Sequence, residues 1–199
     1  KAEQEFKIAS QKIMREVAGL LGKGEVEQAM AAYDAYVAAA PNDQLRAQAQ
    51  ARRISIEFMV FQSLVRNDQA GAVDQLAKLI KMAGGAPGAV NQITWAIARH
   101  VDAGNEVSEP LLNAGIAAIE EVLDASNPNP SMLDTLAHLT YAKGDLDGAI
   151  ELQEKAAAGA TGRLKRNASQ FLEKLKAEKE GPAEEAGDTE EEDTAETQE

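Results

Sequence analysis

Catalysis needs a nucleophile with its base, paired carboxylates, a metal cluster or a phosphate loop, and this sequence is sparing with all of them. It has two histidines, His100 and His138, far apart in the chain, and no cysteine. The lack of thiols excludes disulfides, thiol catalysis and cysteine-ligated zinc within these residues. The histidines read as ordinary surface or groove residues rather than as a two-histidine metal pair. Gly84-Gly85-Ala86-Pro87-Gly88 is glycine-rich, but it lacks the lysine-serine ending of a phosphate loop and follows a helical pattern, not a strand. It reads as a connector and candidate hinge. Glu120, Glu121 and Asp124 share a helix; adjacent residues do not face one another, so they read as a solvated face. Asn167-Ala168-Ser169 is a glycosylation sequon by letter, but it lies mid-helix. Trp95 is the single tryptophan, and it either anchors a helix interface or faces a groove. No catalytic residue, cofactor or metal ligand is assigned, and the chain is expected not to be an enzyme.

Composition sets the frame that must position any site. Apolar residues make up 44% of the 199 residues but aromatics only 4%. A core of alanine and leucine suits closely approaching helices better than sheets, which favour β-branched and aromatic side chains. No apolar run reaches membrane-spanning length, so membrane insertion is not expected. No signal-peptide pattern opens the sequence. The compartment stays open between the cytoplasm and a bacterial periplasm or envelope. The charge of −13 is uneven: residues 181–199 hold nine acids and no basic residue. This tail has no periodic apolar pattern and is expected to be disordered. It is either a solubilising end or a docking segment for a basic surface. The remaining 24 acids against 20 basic residues leave residues 1–180 near −4. An acidic chain repels phosphate backbones, so nucleic acid is not an expected partner.

The helical signal is continuous over residues 1–180. Phe6, Ile13, Val17 and Leu20 mark an amphipathic helix from Ala2 to Leu21. Gly22-Lys23-Gly24-Glu25 breaks it. Val26, Ala29, Met30, Tyr33, Tyr36 and Val37 line a second helix that ends at Pro41. Asp43 is a candidate cap for one long helix to about Arg66, built on Ile54, Phe58, Phe61, Leu64 and Val65. Asn67-Asp68 is a turn in which asparagine tolerates the left-handed conformation. Helices follow at about 69–83, 89–101 and 111–123. Pro130–Thr161 carries two more, joined at Lys143-Gly144-Asp145, where glycine can end one helix and aspartate cap the next. Leu146, Ala149, Ile150, Gln153 and Ala156 share the second one's inner face. A last helix from Thr161 to about Lys179 rests on Leu164, Ala168, Phe171, Leu172 and Leu175.

The Pro130–Thr161 stretch resembles a tetratricopeptide (TPR) repeat, a 34-residue helix–turn–helix unit. Leu133, Leu136 and Ala137 match the large, large and small positions of the first helix, Gly144-Asp145 the turn, and Ala149 and Ala156 the small positions of the second. Thr140 and Thr161 depart from the bulky residue and closing proline expected there. Ile13–Pro41 is a second copy, with Gly24, Ala29, Tyr33 and Pro41 in place and Glu16 a mismatch. The pairs between them are divergent. The resemblance implies an all-α, right-handed α-solenoid of about four antiparallel helix pairs with a C-terminal capping helix, spanning residues 1–180.

For function, the resemblance implies a non-catalytic interaction scaffold that binds a protein or peptide on its concave face. In that family the first helices of each pair line the groove. Position by position, the partner-binding candidates are Trp95, Arg99, Asp134, His138 and Tyr141, with the last three on the face that packing is expected to leave free. The basic clamp for a peptide C-terminus known in the family is missing, since Asp134 and His138 stand at its positions. An acidic peptide tail is therefore not the expected ligand. The sequence is also similar to helical regions that follow thioredoxin-like domains in some bacterial envelope proteins. That likeness implies an accessory role beside a thiol–disulfide domain lying upstream of Lys1.

Overall fold

The computed structural model describes residues 2–181; the acidic run beyond, with the disorder expected for it, lies outside the described residues. Among the described residues ten helices follow one another: α1 (Ala2–Gly22), α2 (Val26–Ala38), α3 (Asp43–Ala51), α4 (Arg53–Asn67), α5 (Gln69–Met82), α6 (Pro87–Asp102), α7 (Glu109–Val122), α8 (Pro130–Ala142), α9 (Leu146–Gly159) and α10 (Gly162–Glu180). No strand occurs among the described residues. The all-helical expectation is met.

Punctuation residues set the helix ends. α1, α6 and α8 close alike: the amides of Glu25, Asn105 and Asp145 reach back to the carbonyls of Leu20, His100 and Thr140. Each closure needs a left-handed residue, and Gly24, Gly104 and Gly144 supply it with φ of 78°, 81° and 91°. Asp145 then caps α9 by accepting from the Gly148 amide at 2.8 Å. Prolines at the first turns of α6, α7 and α8 cost nothing, because those amides have no intrahelical partner.

Two local expectations are corrected. Asn67 is not left-handed, since every positive φ among the described residues belongs to glycine. It ends α4 with its side-chain amide donating to Ser63 O at 3.0 Å, and Asp68 supplies the cap to Gly71 N. The long helix from Asp43 is broken at Arg52, and its cap is Asn42, which accepts from Leu45 N at 2.9 Å. The break has a cause in Tyr33. Its buried hydroxyl donates to Ala49 O at 2.6 Å, the carbonyl that a continuous helix would offer to residue 53. A side chain inserted into the ladder is a recognised cause of a kink. After the break the inward residues are Ile56, Val60, Phe61 and Val65, while Ile54 is exposed.

The core is a succession of clusters. α1, α2 and α4 bury Val17, Leu21, Ala29, Tyr33, Ile56 and Val60. The largest cluster runs through α4 to α8, from Phe61 and Leu76 to Ile97, Leu111, Ile119 and Leu139. α9 and α10 add Ala149, Ile150 and Leu175. Glu57 of α4 is 2% exposed and is held by Arg53 Nε at 3.1 Å, Gln75 Nε2 at 2.8 Å and Lys78 Nζ at 2.7 Å. Burial works against its charge, yet these donors outweigh it and hold the carboxyl below the usual range. The helices α1, α4, α6 and α8 pack in sequence, each on the next. α8 is enclosed: all residues from Met132 to Leu139 are buried. This enclosure positions the site described next.

Candidate functional site

Four of the five candidate residues gather where α6, α8 and α10 meet, and they do so through a residue of α10. His138 stacks on Phe171, with ring centroids 3.7 Å apart and planes within 7°. Trp95 meets His138 edge-on at 5.2 Å, and Tyr141 meets Phe171 edge-on at 5.8 Å. The two edge-to-face contacts suit the ring quadrupoles. The face expected to stay free is therefore covered. His138 is 8% and Asp134 6% exposed, because α10 lies across them and does not merely close the far end.

The polar groups here are ordered in turn. His138 Nδ1 lies 2.8 Å from Asp102 Oδ1 at the end of α6. A carboxylate can only accept, so Nδ1 carries the proton and the ring orientation is fixed. Asp134 Oδ1 accepts from Gln153 Nε2 at 2.7 Å, and the same Nε2 donates to Ala168 O at 3.0 Å. Gln153 is fully buried and so ties α8, α9 and α10 together. Asp134 Oδ2 takes no hydrogen bond among the described residues. Burial pushes the Asp134 carboxyl above the usual range; the Gln153 hydrogen bond and His138 pull it back, and Asp102 adds to the rise. Tyr141 donates from its hydroxyl to Glu178 Oε2 at 2.6 Å, and Lys174 Nζ sits 5.2 Å from the centre of its ring. It holds α10 and does not line the cavity.

Between these helices lies a cavity of about 600 Å³, walled by Trp95, His138 and Phe171, with Asp134, Thr135 and Asp102 among its polar lining. Gln92 of α6 borders both this cavity and an apolar cleft of about 350 Å³ between Phe58, Met59, Leu79 and Ile93. The volume suits a small ligand or a side chain. Trp95 packs against the main core and also lines the cavity.

Arg99 is not brought to this site. It lines a separate cleft of about 400 Å³ with Gln62, Arg66 and His100, between α4 and α6. Burial and the charge of Arg66 push His100 below the usual histidine value. The two histidines are on different surfaces, and no group of three or more potential metal ligands occurs among the described residues.

Sequence reasoning places Asp134, His138 and Tyr141 on one face of α8 but misses Asp102, Gln153 and Phe171. The pattern gives Phe171 a packing role and puts Asp102 in a loop. Gln153 carries a usable signal: a glutamine among Ala149, Ile150 and Ala156 on an inner face needs a buried polar partner. No known protein family matches the sequence, and neither a curated protein nor a solved structure matches it.

Proposed function

We propose that this chain is a TPR-like interaction scaffold, a right-handed solenoid of four antiparallel helix pairs in which α10 is the cap. It binds a peptide or protein partner along the row formed by α4, α6 and α8, with the α6–α8–α10 cavity as the anchor point. The observation that carries this reading is the cavity, an aromatic-walled opening on the helix row where the resemblance expects partners to bind. The adjoining apolar cleft, sharing Gln92, supports it by extending the surface beyond one side chain. Aromatic residues at the centre of a concave patch are the usual energetic anchors of such surfaces.

The test is a peptide-library selection with the natural chain and with Trp95→Ala, with circular dichroism to confirm that both are folded. The natural chain should enrich a related set of sequences, and Trp95→Ala should bind them at least tenfold more weakly, since an aromatic anchor contributes about 2 kcal/mol or more. Equal binding by the variant removes the cavity from the interface, and the absence of any enriched sequence removes the scaffold role.

A further inference from the structure

We infer that the α6–α8–α10 cavity takes a cationic side chain, lysine or arginine, from the bound peptide, with Asp134 as its counter-ion. This rests on the scaffold reading and names the chemistry of its anchor point.

Asp134 is a carboxylate 6% exposed, it lines the cavity, and Oδ2 has no donor among the described residues. A buried charge without a full set of donors is costly unless a partner completes it. Three donors beside Asp134 are already committed. Gln153 Nε2 is used twice, Thr135 Oγ1 donates to Ser131 O at 3.0 Å, and Asn91 Nδ2 donates to Ser131 Oγ at 3.1 Å. Asp134 Oδ2 is left without a donor, and a second carboxylate, Asp102, stands at the rim. A ligand group that completes Asp134 must donate. Ammonium and guanidinium groups donate and do not accept.

The walls point the same way. Trp95 and Phe171 present aromatic rings to the cavity, and such rings attract cations. On its other side the aromatic cluster already holds one: Lys174 Nζ lies 5.2 Å from the Tyr141 ring centre and 5.9 Å from that of Phe171. Lysine and arginine also carry an apolar stem that the aromatic wall can cover while the head reaches the carboxylate. An ionised acidic side chain cannot donate to Asp134, and a neutral one brings no charge to pair with it.

Trp95 is the only tryptophan, so its fluorescence reports on this cavity alone. The experiment titrates the full chain with the blocked peptide Gly-Arg-Gly, the blocked peptide Gly-Lys-Gly, the citrulline counterpart of the first, and butylamine. A saturable change is expected with the arginine or lysine peptide. Replacing arginine by citrulline, which keeps the shape and removes the charge, should weaken it at least tenfold, as should Asp134→Asn. If citrulline binds as well as arginine, the peptide surface stands and the cationic assignment falls. If no peptide perturbs Trp95, the cationic assignment falls, and the scaffold reading is judged on its own library selection. If butylamine acts as strongly as the peptides, the cavity belongs to free amines and the peptide source is overturned. The citrulline comparison uses the natural chain and does not depend on how the variant folds.

Discussion

Replacing Asp134 by asparagine should make the unliganded protein more stable while it loses the cation. The two side chains have nearly the same shape, so packing against α9 and α10 is kept. The carboxylate gains from one charge-assisted hydrogen bond, from Gln153 at 2.7 Å. Such a bond contributes about 1.5–3 kcal/mol, against about 0.5–1.5 for the neutral bond that the asparagine would accept, a loss of about 1. Against this stands the desolvation of an ion that is 6% exposed, several kcal/mol on the scale of buried charges, part of it relieved by the adjoining cavity. That burial wins is already visible in the raised pKa of the group. The expected net gain at neutral pH is about 1 kcal/mol, or roughly 2–4 °C in Tm for a chain of this size. The sign of the pH dependence follows. A carboxyl whose folded value is raised contributes stability below its ordinary value of 3.8 that is lost as pH rises through the folded value. The two proteins should therefore match near pH 4 and diverge towards pH 7, the variant being the more stable. His138 and Asp102 face the same group and are unchanged in both, so the difference isolates Asp134. Urea unfolding at several pH values measures it. If Asp134→Asn is less stable by more than about 1 kcal/mol at pH 7, Asp134 is a structural acceptor for Gln153, and the reasoning that its burial is a cost borne for function fails.

Two further substitutions test the scaffold around the site. Glu57→Ala should destabilise by about 2–3 kcal/mol, less than a fully buried ion pair because Arg53 and Lys78 are half-exposed and regain water. The lowered Glu57 value means its contribution is present above the ordinary 4.5 and lost as pH falls through the folded value, so chemical denaturation should show the difference between the two proteins shrinking below about pH 4.5; a gap that stays constant down to pH 3 would contradict the ionised network. Tyr33→Phe should cost about 1 kcal/mol and slow amide exchange at Arg53, whose N–H can then bond the freed Ala49 carbonyl. Unchanged exchange there would show that the α3–α4 break does not depend on the hydroxyl.

The helices are legible in the sequence because their apolar spacing is local. Phe6, Ile13 and Val17, or Leu76 and Leu79, fall at helical intervals and are buried where that interval puts them. The α3–α4 break is not legible, because nothing between Asp43 and Arg66 encodes it; it is imposed by a tyrosine on the preceding helix. The spacing counts Ile54 as inward for the same reason, since the break resets the phase of α4. At the site, the spacing of Asp134, His138 and Tyr141 gives a shared face, which is again local information. What that face meets depends on how α10 returns across α8, and the apolar stripe of α10 could equally have packed on α9 alone. So Phe171 and the enclosure of Asp134 belong to tertiary structure. Arg99 shows the converse: one turn along α6 from Trp95, it still falls into a different cleft.

The central claim is that a partner peptide sits in the α6–α8–α10 cavity, and photo-crosslinking tests it most directly. A photoreactive residue at Gln170, on the cavity lip, is compared with one at the exposed Glu121 of α7, using a peptide taken from the library selection. The account predicts that the peptide crosslinks from position 170 and that excess arginine-containing peptide competes it away. Crosslinking from position 121 but not from 170 would contradict it.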